Sequence, residues 1–311
     1  MPPPPPPSSI EPDLSPPPPL VTGSRTVGAL LPRVALFLLF AYGTLTILAG
    51  LLYNSFGLLL ASVIGAFAGA ATANALAIRI YERGTLPDIG LHWNAASARS
   101  LALGIAAGMG TGLAAVLLPA LAGLAAWKPA PTGESTVSLG GFIFLTAMLL
   151  FGAVGEEMLF RGYGLQVLVP VLGPIATVMP MSVLFAAAHM DNSGADWLGL
   201  FNTFLWGVVL GAALLRTGTL WMPIGLHFGW NWILPVLGVN VSGFTMRLTG
   251  HMLDWRVGRL WSGGDYGPEG GLFCTIAVAL LGAWLLRAPL PKQELALLRV
   301  ADRLGDEERA G

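Results

Sequence analysis

The chain has 311 residues, of which 54% are hydrophobic and only 11% are charged. Soluble domains carry about 25% charged residues, so much of this protein's surface does not face water. The formal net charge is −1 and the sequence has no basic patch, which argues against a nucleic-acid partner. The composition therefore predicts an integral membrane protein that crosses the membrane several times.

The chain begins with a stretch in which eleven of the first twenty residues are proline. Such a stretch has too few apolar side chains to offset the entropy lost on ordering. Residues 1–26 are therefore predicted to form a disordered cytoplasmic tail. Residues 27–287 are expected to form a transmembrane helical domain, and the charge-rich residues 288–311 a cytoplasmic tail.

Eight apolar stretches meet or approach the length of about 20 residues that a membrane-spanning helix needs. They are residues 34–52, 57–80, 101–127, 141–169, 172–190, 197–215, 220–238 and 271–286. The last stretch is short, so seven spans is the alternative count. The sequence thus predicts an all-α fold, a polytopic transmembrane helical bundle of about eight spans.

The distribution of Lys and Arg predicts the orientation, because cytoplasmic loops carry an excess of both. With a cytoplasmic N-terminus, only four of the sixteen lie outside: Lys128, Arg247, Arg256 and Arg259. Both termini are therefore predicted to be cytoplasmic. The loop 239–270 holds three of these four and several aromatic residues, so it is compatible with a position on the membrane surface. Short loops and an Ala-, Gly- and Arg-rich composition are typical of bacterial proteins, which predicts a bacterial plasma membrane.

Six polar side chains within the apolar stretches call for an explanation, because a Glu or an Arg there costs about 3 kcal/mol to insert. They are Glu156, Glu157, Arg161, His189, His227 and Asn231. An ionisable residue within a membrane span is a candidate for function by default. These six residues are therefore the candidate functional residues.

The spacing of these residues indicates which of them can meet. Glu157 and Arg161 are four residues apart, so they share a helix face and can form an ion pair. His227 and Asn231 have the same spacing. Glu156 points about 100° away from Glu157, so the two carboxylates need not do the same job.

The depth of the polar residues predicts a single site. Glu156 and His189 each lie about sixteen residues from a turn near residues 172–174, or about 24 Å along a helix. Two residues equally far from the turn of an antiparallel hairpin lie level. His227 and Asn231 lie about 15 and 20 Å from the next cytoplasmic turn. All four are therefore expected to converge near the middle of the membrane.

Taken together, the polar clusters resemble the motifs of a known family. The patterns Glu156-Glu157-x-x-x-Arg161, Phe185-x-x-x-His189 and His227-x-x-x-Asn231 are similar to the three motifs of the CPBP intramembrane endopeptidases. These are the type II CAAX prenyl endopeptidases and their bacterial relatives, which include bacteriocin-processing and immunity proteins. The resemblance covers roughly residues 142–234 and carries all three motifs in order.

The resemblance implies an intramembrane protease with a catalytic core at about residues 140–238. It implies that Glu156 and His189 activate a water molecule, and that His227 and Asn231 form an oxyanion hole. The implied partners are a peptide or protein substrate and the membrane lipid; lipidation of the substrate and the oligomeric state are left open. Glu157 and Arg161 are expected to support the site, with the reading of a substrate carboxylate by Arg161 as an alternative.

Other interpretations of the same residues remain. No cofactor is expected, but Glu156, His189 and His227 could instead ligate zinc. The His-Glu-x-x-His signature of many metalloproteases is absent from the sequence. A protein with these motifs could also act without catalysis, as a membrane immunity or scaffold protein or a small transporter, or the polar groups could merely tie helices together.

Overall fold

The computed structural model describes residues 27–131, 138–246, 248–295 and 297–298. The predicted proline-rich tail, residues 1–26, lies outside the described residues. So do Arg247 and most of the predicted charged tail, residues 288–311.

The described chain is mostly helical. Its α-helices are α1 (Val27–Glu82), α2 (Ala95–Leu121), α3 (Leu139–Arg161), α4 (Tyr163–Leu172), α5 (Pro174–Ala187), α6 (Trp197–Thr217), α7 (Trp221–Val236), α8 (Arg259–Ser262) and α9 (Leu272–Arg287). Two short antiparallel strands, β1 (Ala125–Pro129) and β2 (His251–Trp255), join them, with 3-10 turns at Leu86–Ile89, Gly264–Tyr266 and Pro268–Gly270. Among the described residues four segments are long and apolar enough to cross a membrane: Val27–Glu82, Ala95–Leu121, Leu139–Leu172 and Trp197–Thr217. The helical membrane architecture agrees with the sequence; the count of eight spans and the side of the termini stay predictions.

Gly57 divides α1 into two antiparallel arms. Its φ of 76° and ψ of 171° lie outside the helical region, and glycine adopts such a positive φ without strain. The arms lie against each other, because Arg33 Nε is 3.2 Å from Glu82 Oε1 and the Tyr81 hydroxyl donates to the Pro32 carbonyl over 3.1 Å. The first two predicted spans are therefore the two arms of one hinged helix.

The fourth predicted span, residues 141–169, is not one helix. The backbone leaves the helical region at Gly162, whose ψ is −145°, so α3 ends there and α4 begins. Asn74 of α1 binds the backbone on both sides of the break. Its amide donates to the Met158 carbonyl over 2.9 Å, and its side-chain oxygen accepts from the Tyr163 N–H over 2.7 Å. The predicted turn near residues 172–174 is present at Gly173, between α4 and α5, but the arm before it consists of two helices, α3 and α4.

Helices α2 and α7 pack with their backbones in contact. Gly104 and Gly108 of α2 face Gly225 and Gly229 of α7, and a methyl group on any of the four would overlap the partner helix. Small residues four positions apart are typical of closely packed membrane helices. His227 lies two positions from each glycine of α7, about 200° around the helix, so it faces away from α2.

The loop that follows α7 folds over one end of the bundle. Its strand β2 pairs with β1, with Leu253 opposite Trp127. The third predicted span, residues 101–127, therefore ends early, because its last residues belong to β1. Val241 and Tyr266 of the loop are buried. The sequence was compatible with a position of this loop on the membrane surface. In the structure the loop contributes to the folded core.

The first residues after α9 also pack against the helical domain. The Gln293 N–H donates to the Thr217 carbonyl over 2.8 Å, and the Gln293 side chain contacts His92. Leu295 and Leu297 are buried. The packed part of the chain thus continues past residue 287, the predicted end of the helical domain.

Replacing Gly108 with Val is expected to destabilise the protein, because the added side chain would overlap the backbone at Leu226. Overpacking of this kind costs about 1–3 kcal/mol. Gly110→Val is the matched control, since a Cβ at Gly110 of the same helix has no neighbour within 4 Å. Thermal unfolding in detergent should give a lower midpoint for Gly108→Val alone. Equal midpoints would contradict the close packing of α2 and α7.

Candidate active site

A fully buried carboxylate connects α3 to α7. Glu157 Oε1 accepts a hydrogen bond from Arg161 Nη1 over 3.2 Å and lies 2.8 Å from His227 Nδ1. The predicted pairing of Glu157 with Arg161 on one face of α3 is confirmed. The contact with His227 was not predicted, because spacing within one helix gives no information about contacts between helices.

The buried guanidinium of Arg161 extends this connection to α5 and α6. Its Nη2 donates to the Gly207 carbonyl over 3.3 Å, and its central carbon lies 4.3 Å from the centre of the Phe185 ring. Gly207 itself packs directly on Ser182 of α5, and a side chain at position 207 would overlap Ser182. Arg161 therefore contacts protein groups of three helices: Glu157 of α3, Phe185 of α5 and Gly207 of α6.

Glu156 approaches the same histidine ring from the other side. Its Oε2 lies 3.8 Å from His227 Nε2, and its side chain is 32% exposed. That oxygen is buried and has no hydrogen-bond partner among the described residues. The Oε2 of Glu157 also has no hydrogen-bond partner among the described residues, so the two carboxylates differ in exposure: Glu157 is fully buried and paired through Oε1, whereas Glu156 is partly exposed.

His189 lies just beyond the end of α5 and is half-buried. Its Nδ1 is 2.8 Å from the Phe185 carbonyl, which can only accept, so Nδ1 carries a hydrogen. In a neutral ring Nε2 is then the acceptor. The Phe185 ring lies 4.9 Å from the His189 ring and 6.1 Å from the His227 ring, and it meets Phe160 of α3 edge-on.

Three of the predicted site residues line one small cavity, and Glu156, which is not in its wall, lies 3.8 Å from one of them, His227. The cavity measures about 30 Å³, and His189, His227 and Asn231 are in its wall. A volume of this size has room for about two water molecules. The remaining wall consists of Phe185, Thr203, Trp206, Leu210, Trp230, Ser242 and Glu269. The structure therefore places three of the predicted residues around a cavity that can hold water.

Glu269 belongs to this wall and was not predicted from the sequence. It lies in the loop after α7, outside every apolar stretch, where an acidic residue is ordinarily solvated. Here it is 6% exposed and accepts a hydrogen bond from Trp230 Nε1 over 3.0 Å. Its local sequence, Gly-Pro-Glu-Gly, contains no pattern that signals burial.

Within the described parts of the chain, no three His, Cys, Asp or Glu side chains form a group that could hold a metal ion. Of the alternative zinc ligands, His227 has its Nδ1 engaged with Glu157 and His189 has its Nδ1 engaged with Phe185. Their Nε2 atoms and Glu156 are the atoms left for a metal.

Residues 138–233 match a family model described as Type II CAAX prenyl endopeptidase Rce1-like. The match confirms the resemblance inferred from the three motifs, and it includes all six predicted site residues. It covers under a third of the chain and ends before the loop that carries Glu269. Neither the curated proteins nor the solved structures contain a match to the chain.

Replacing Arg161 with Met should destabilise the protein by about 3–5 kcal/mol, because Glu157 would keep a buried charge without its cation. Adding Glu157→Gln should recover part of the loss, since it removes that charge. Thermal unfolding of the two single variants and the double variant gives the coupling free energy.

The control is Lys128→Met, which breaks the largely exposed ion pair with Asp254. Exposed pairs contribute about 0–1 kcal/mol, so its midpoint should stay near that of the unmodified protein. Strict additivity of the Arg161 and Glu157 variants would contradict a direct interaction between them.

Proposed function

We propose that this chain is an intramembrane endopeptidase. The premise is the match of residues 138–233 to the family model of the Rce1-like type II CAAX prenyl endopeptidases. The family is one of membrane-embedded proteases, which act on peptide or protein substrates. One observation carries the proposal for this chain: a Glu156 oxygen without a hydrogen-bond partner lies 3.8 Å from the His227 ring, and that ring lines a cavity with room for water.

Glu156 is the proposed general base. It would take a proton from a water molecule as the water oxygen attacks the carbonyl carbon of the scissile peptide bond. His189 would orient this water through Nε2, the ring nitrogen not engaged with the Phe185 carbonyl. The proton on Glu156 would then pass to the leaving nitrogen as the carbon–nitrogen bond breaks, which yields a free carboxylate and an amine.

His227 and Asn231 are the proposed donors to the oxyanion. They lie four residues apart on one face of α7, and both line the cavity. For His227 to donate from Nε2 while Nδ1 donates to Glu157, the ring must carry both protons and a positive charge. The carboxylates of Glu156 and Glu157 on either side stabilise that charge. A charged donor in a site with little water stabilises developing negative charge strongly.

Glu157 and Arg161 are proposed to support this chemistry rather than to take part in it. Glu157 fixes the orientation of the His227 ring, and Arg161 balances the charge of Glu157. The contacts of Arg161 with Gly207 and Phe185 favour this role over the alternative, in which Arg161 binds a substrate carboxylate.

The proposed topology has about eight spans, with both termini in the cytoplasm of a bacterial cell. The two arms of α1 count as two spans, α3 and α4 together as one, and α2, α5, α6, α7 and α9 as one each. The excess of Lys and Arg on one side supports the orientation. Helix α5 has 14 residues, fewer than the about 20 that a membrane span needs, so the segments on either side of it would have to complete the crossing.

Replacing Glu156 with Gln should lower peptide cleavage by at least about 10²-fold, the smaller end of what a general base contributes. The folded yield should not change, because Glu156 Oε2 has no hydrogen bond to lose. The measurement compares membrane proteomes of cells that make the unmodified protein or Glu156→Gln, and seeks precursors that stay uncleaved only in the variant.

Asp191→Asn is the matched control, since Asp191 is an exposed acid two residues from His189. Cells with this variant should process the same precursors as cells with the unmodified protein. A cellular phenotype that survives Glu156→Gln would instead favour a non-catalytic immunity or scaffold protein.

Saturating chelator should leave cleavage by the purified protein unchanged, because the proposed chemistry uses only protein groups and water. The measurement follows cleavage of an identified precursor before and after dialysis against chelator. Loss of activity that zinc restores would favour the zinc-dependent alternative, with Glu156, His189 and His227 as ligands.

A further inference from the structure

The loop after α7 contributes a carboxylate to the cavity that holds His189, His227 and Asn231. This carboxylate is that of Glu269, which is 6% exposed and lines the same space. Glu269 lies outside the residues that match the family model. The family match therefore does not account for a buried carboxylate at position 269.

The hydrogen bonds of Glu269 leave room for one more. Its Oε1 accepts from Trp230 Nε1 over 3.0 Å and from Ser242 Oγ over 3.2 Å, and its Oε2 accepts from the Ser242 N–H. An ionised carboxylate has about four acceptor positions. About one acceptor position thus remains, on a side chain that forms part of the cavity wall.

The turn that carries Ser242 is built around this carboxylate. Val241 and Phe244 form a bridge, and the two residues between them have positive φ values, 48° for Ser242 and 82° for Gly243. Tight turns of this type favour Asn or Gly at the first position, so a serine there is strained. In that position both the N–H and the hydroxyl of Ser242 reach Glu269.

The backbone of Glu269 is held without the help of its charge. The Asn202 amide donates to the Glu269 carbonyl over 2.7 Å and to the Gly271 carbonyl over 3.1 Å. The Thr275 hydroxyl in turn donates to the Asn202 side chain over 2.7 Å. These bonds fasten the backbone at residues 269 and 271 to α6 and α9 through neutral groups, so that attachment does not depend on the charge of Glu269.

Burial raises the pKa of the Glu269 carboxyl, while hydrogen bonds from Trp230 and Ser242 and the nearby His189 limit the rise. A raised pKa means that the folded state favours the protonated form. The stability gained from that form is present at low pH and is lost as the pH rises through the raised pKa. Ionising Glu269 in the folded state thus costs stability, and buried groups with a perturbed pKa in a cavity wall are candidates for function.

We propose that Glu269 positions the hydrolytic water through a second water in the cavity, which donates one hydrogen bond to Glu269 and the other to the oxygen of the hydrolytic water. This inference rests on the proposed peptidase function. The two hydrogens of the hydrolytic water are directed to Glu156 and to Nε2 of His189, so Glu269 has to act through the second water. Glu269 neither gains nor loses a proton in the step: the proton goes to Glu156, and the water oxygen bonds to the substrate carbonyl carbon.

The test compares Glu269→Gln with Asp265→Asn, which neutralises an exposed acid of the same loop. Glu269→Gln should lower kcat about 10²-fold, the effect of a misplaced reactant, with KM unchanged. Asp265→Asn should match the unmodified protein in both. In Glu269→Ala, added formate should restore part of kcat, because a small carboxylate can occupy the vacated position; formate should not stimulate Glu269→Gln.

A structural role for Glu269 predicts a different set of results. The melting temperature of Glu269→Gln would fall, kcat per folded molecule would stay that of the unmodified protein, and formate would have no effect on Glu269→Ala. Those results would overturn the inference. If the unmodified protein itself cleaves no precursor that Glu156→Gln fails to cleave, the proposed function has failed instead, and the two failures are thereby distinguished.

Discussion

The arrangement of the candidate site depends on the buried carboxylate of Glu157. A charge that is removed from water must be balanced by partners close by, or the folded state loses several kcal/mol. Arg161 and His227 are those partners, one on the same helix and one on α7. Because both contacts must be kept, α3 and α7 have one relative position, and Arg161 extends the constraint to α6 through the Gly207 carbonyl.

Helix α7 meets this constraint by dividing its surface between two tasks. Gly225 and Gly229 bring one face into backbone contact with α2, which leaves little freedom for rotation of the helix. His227 and Asn231 occupy the opposite face, since each lies two positions from a glycine. Packing against α2 therefore sets the direction in which the polar side chains point. The chemistry of α7 is positioned by a contact on its other side.

The sequence could predict what depends on spacing within one helix, and it could not predict what depends on contacts between segments. The pairing of Glu157 with Arg161 follows from four-residue spacing, and the apolar stretches mark most of the helices. The break at Gly162 depends on Asn74, which lies nearly ninety positions earlier. An asparagine in an apolar stretch signals a buried hydrogen bond, but not its partner. Glu269 carried no signal, because its burial arises only when the loop closes on α6 and α7.

The segment that matches the family model does not complete its own cavity. Residues 138–233 supply the polar groups of the helices, but Ser242 and Glu269 of the following loop close the wall. The proposed hydrolysis would need water among apolar helices, yet bulk water would weaken the charge interactions that orient the site. A cavity of about 30 Å³ is compatible with both needs, because it has room for about two water molecules. Ser242 and Glu269 of the loop close the wall of this cavity beside His227, so the loop belongs to the site as much as the helices do.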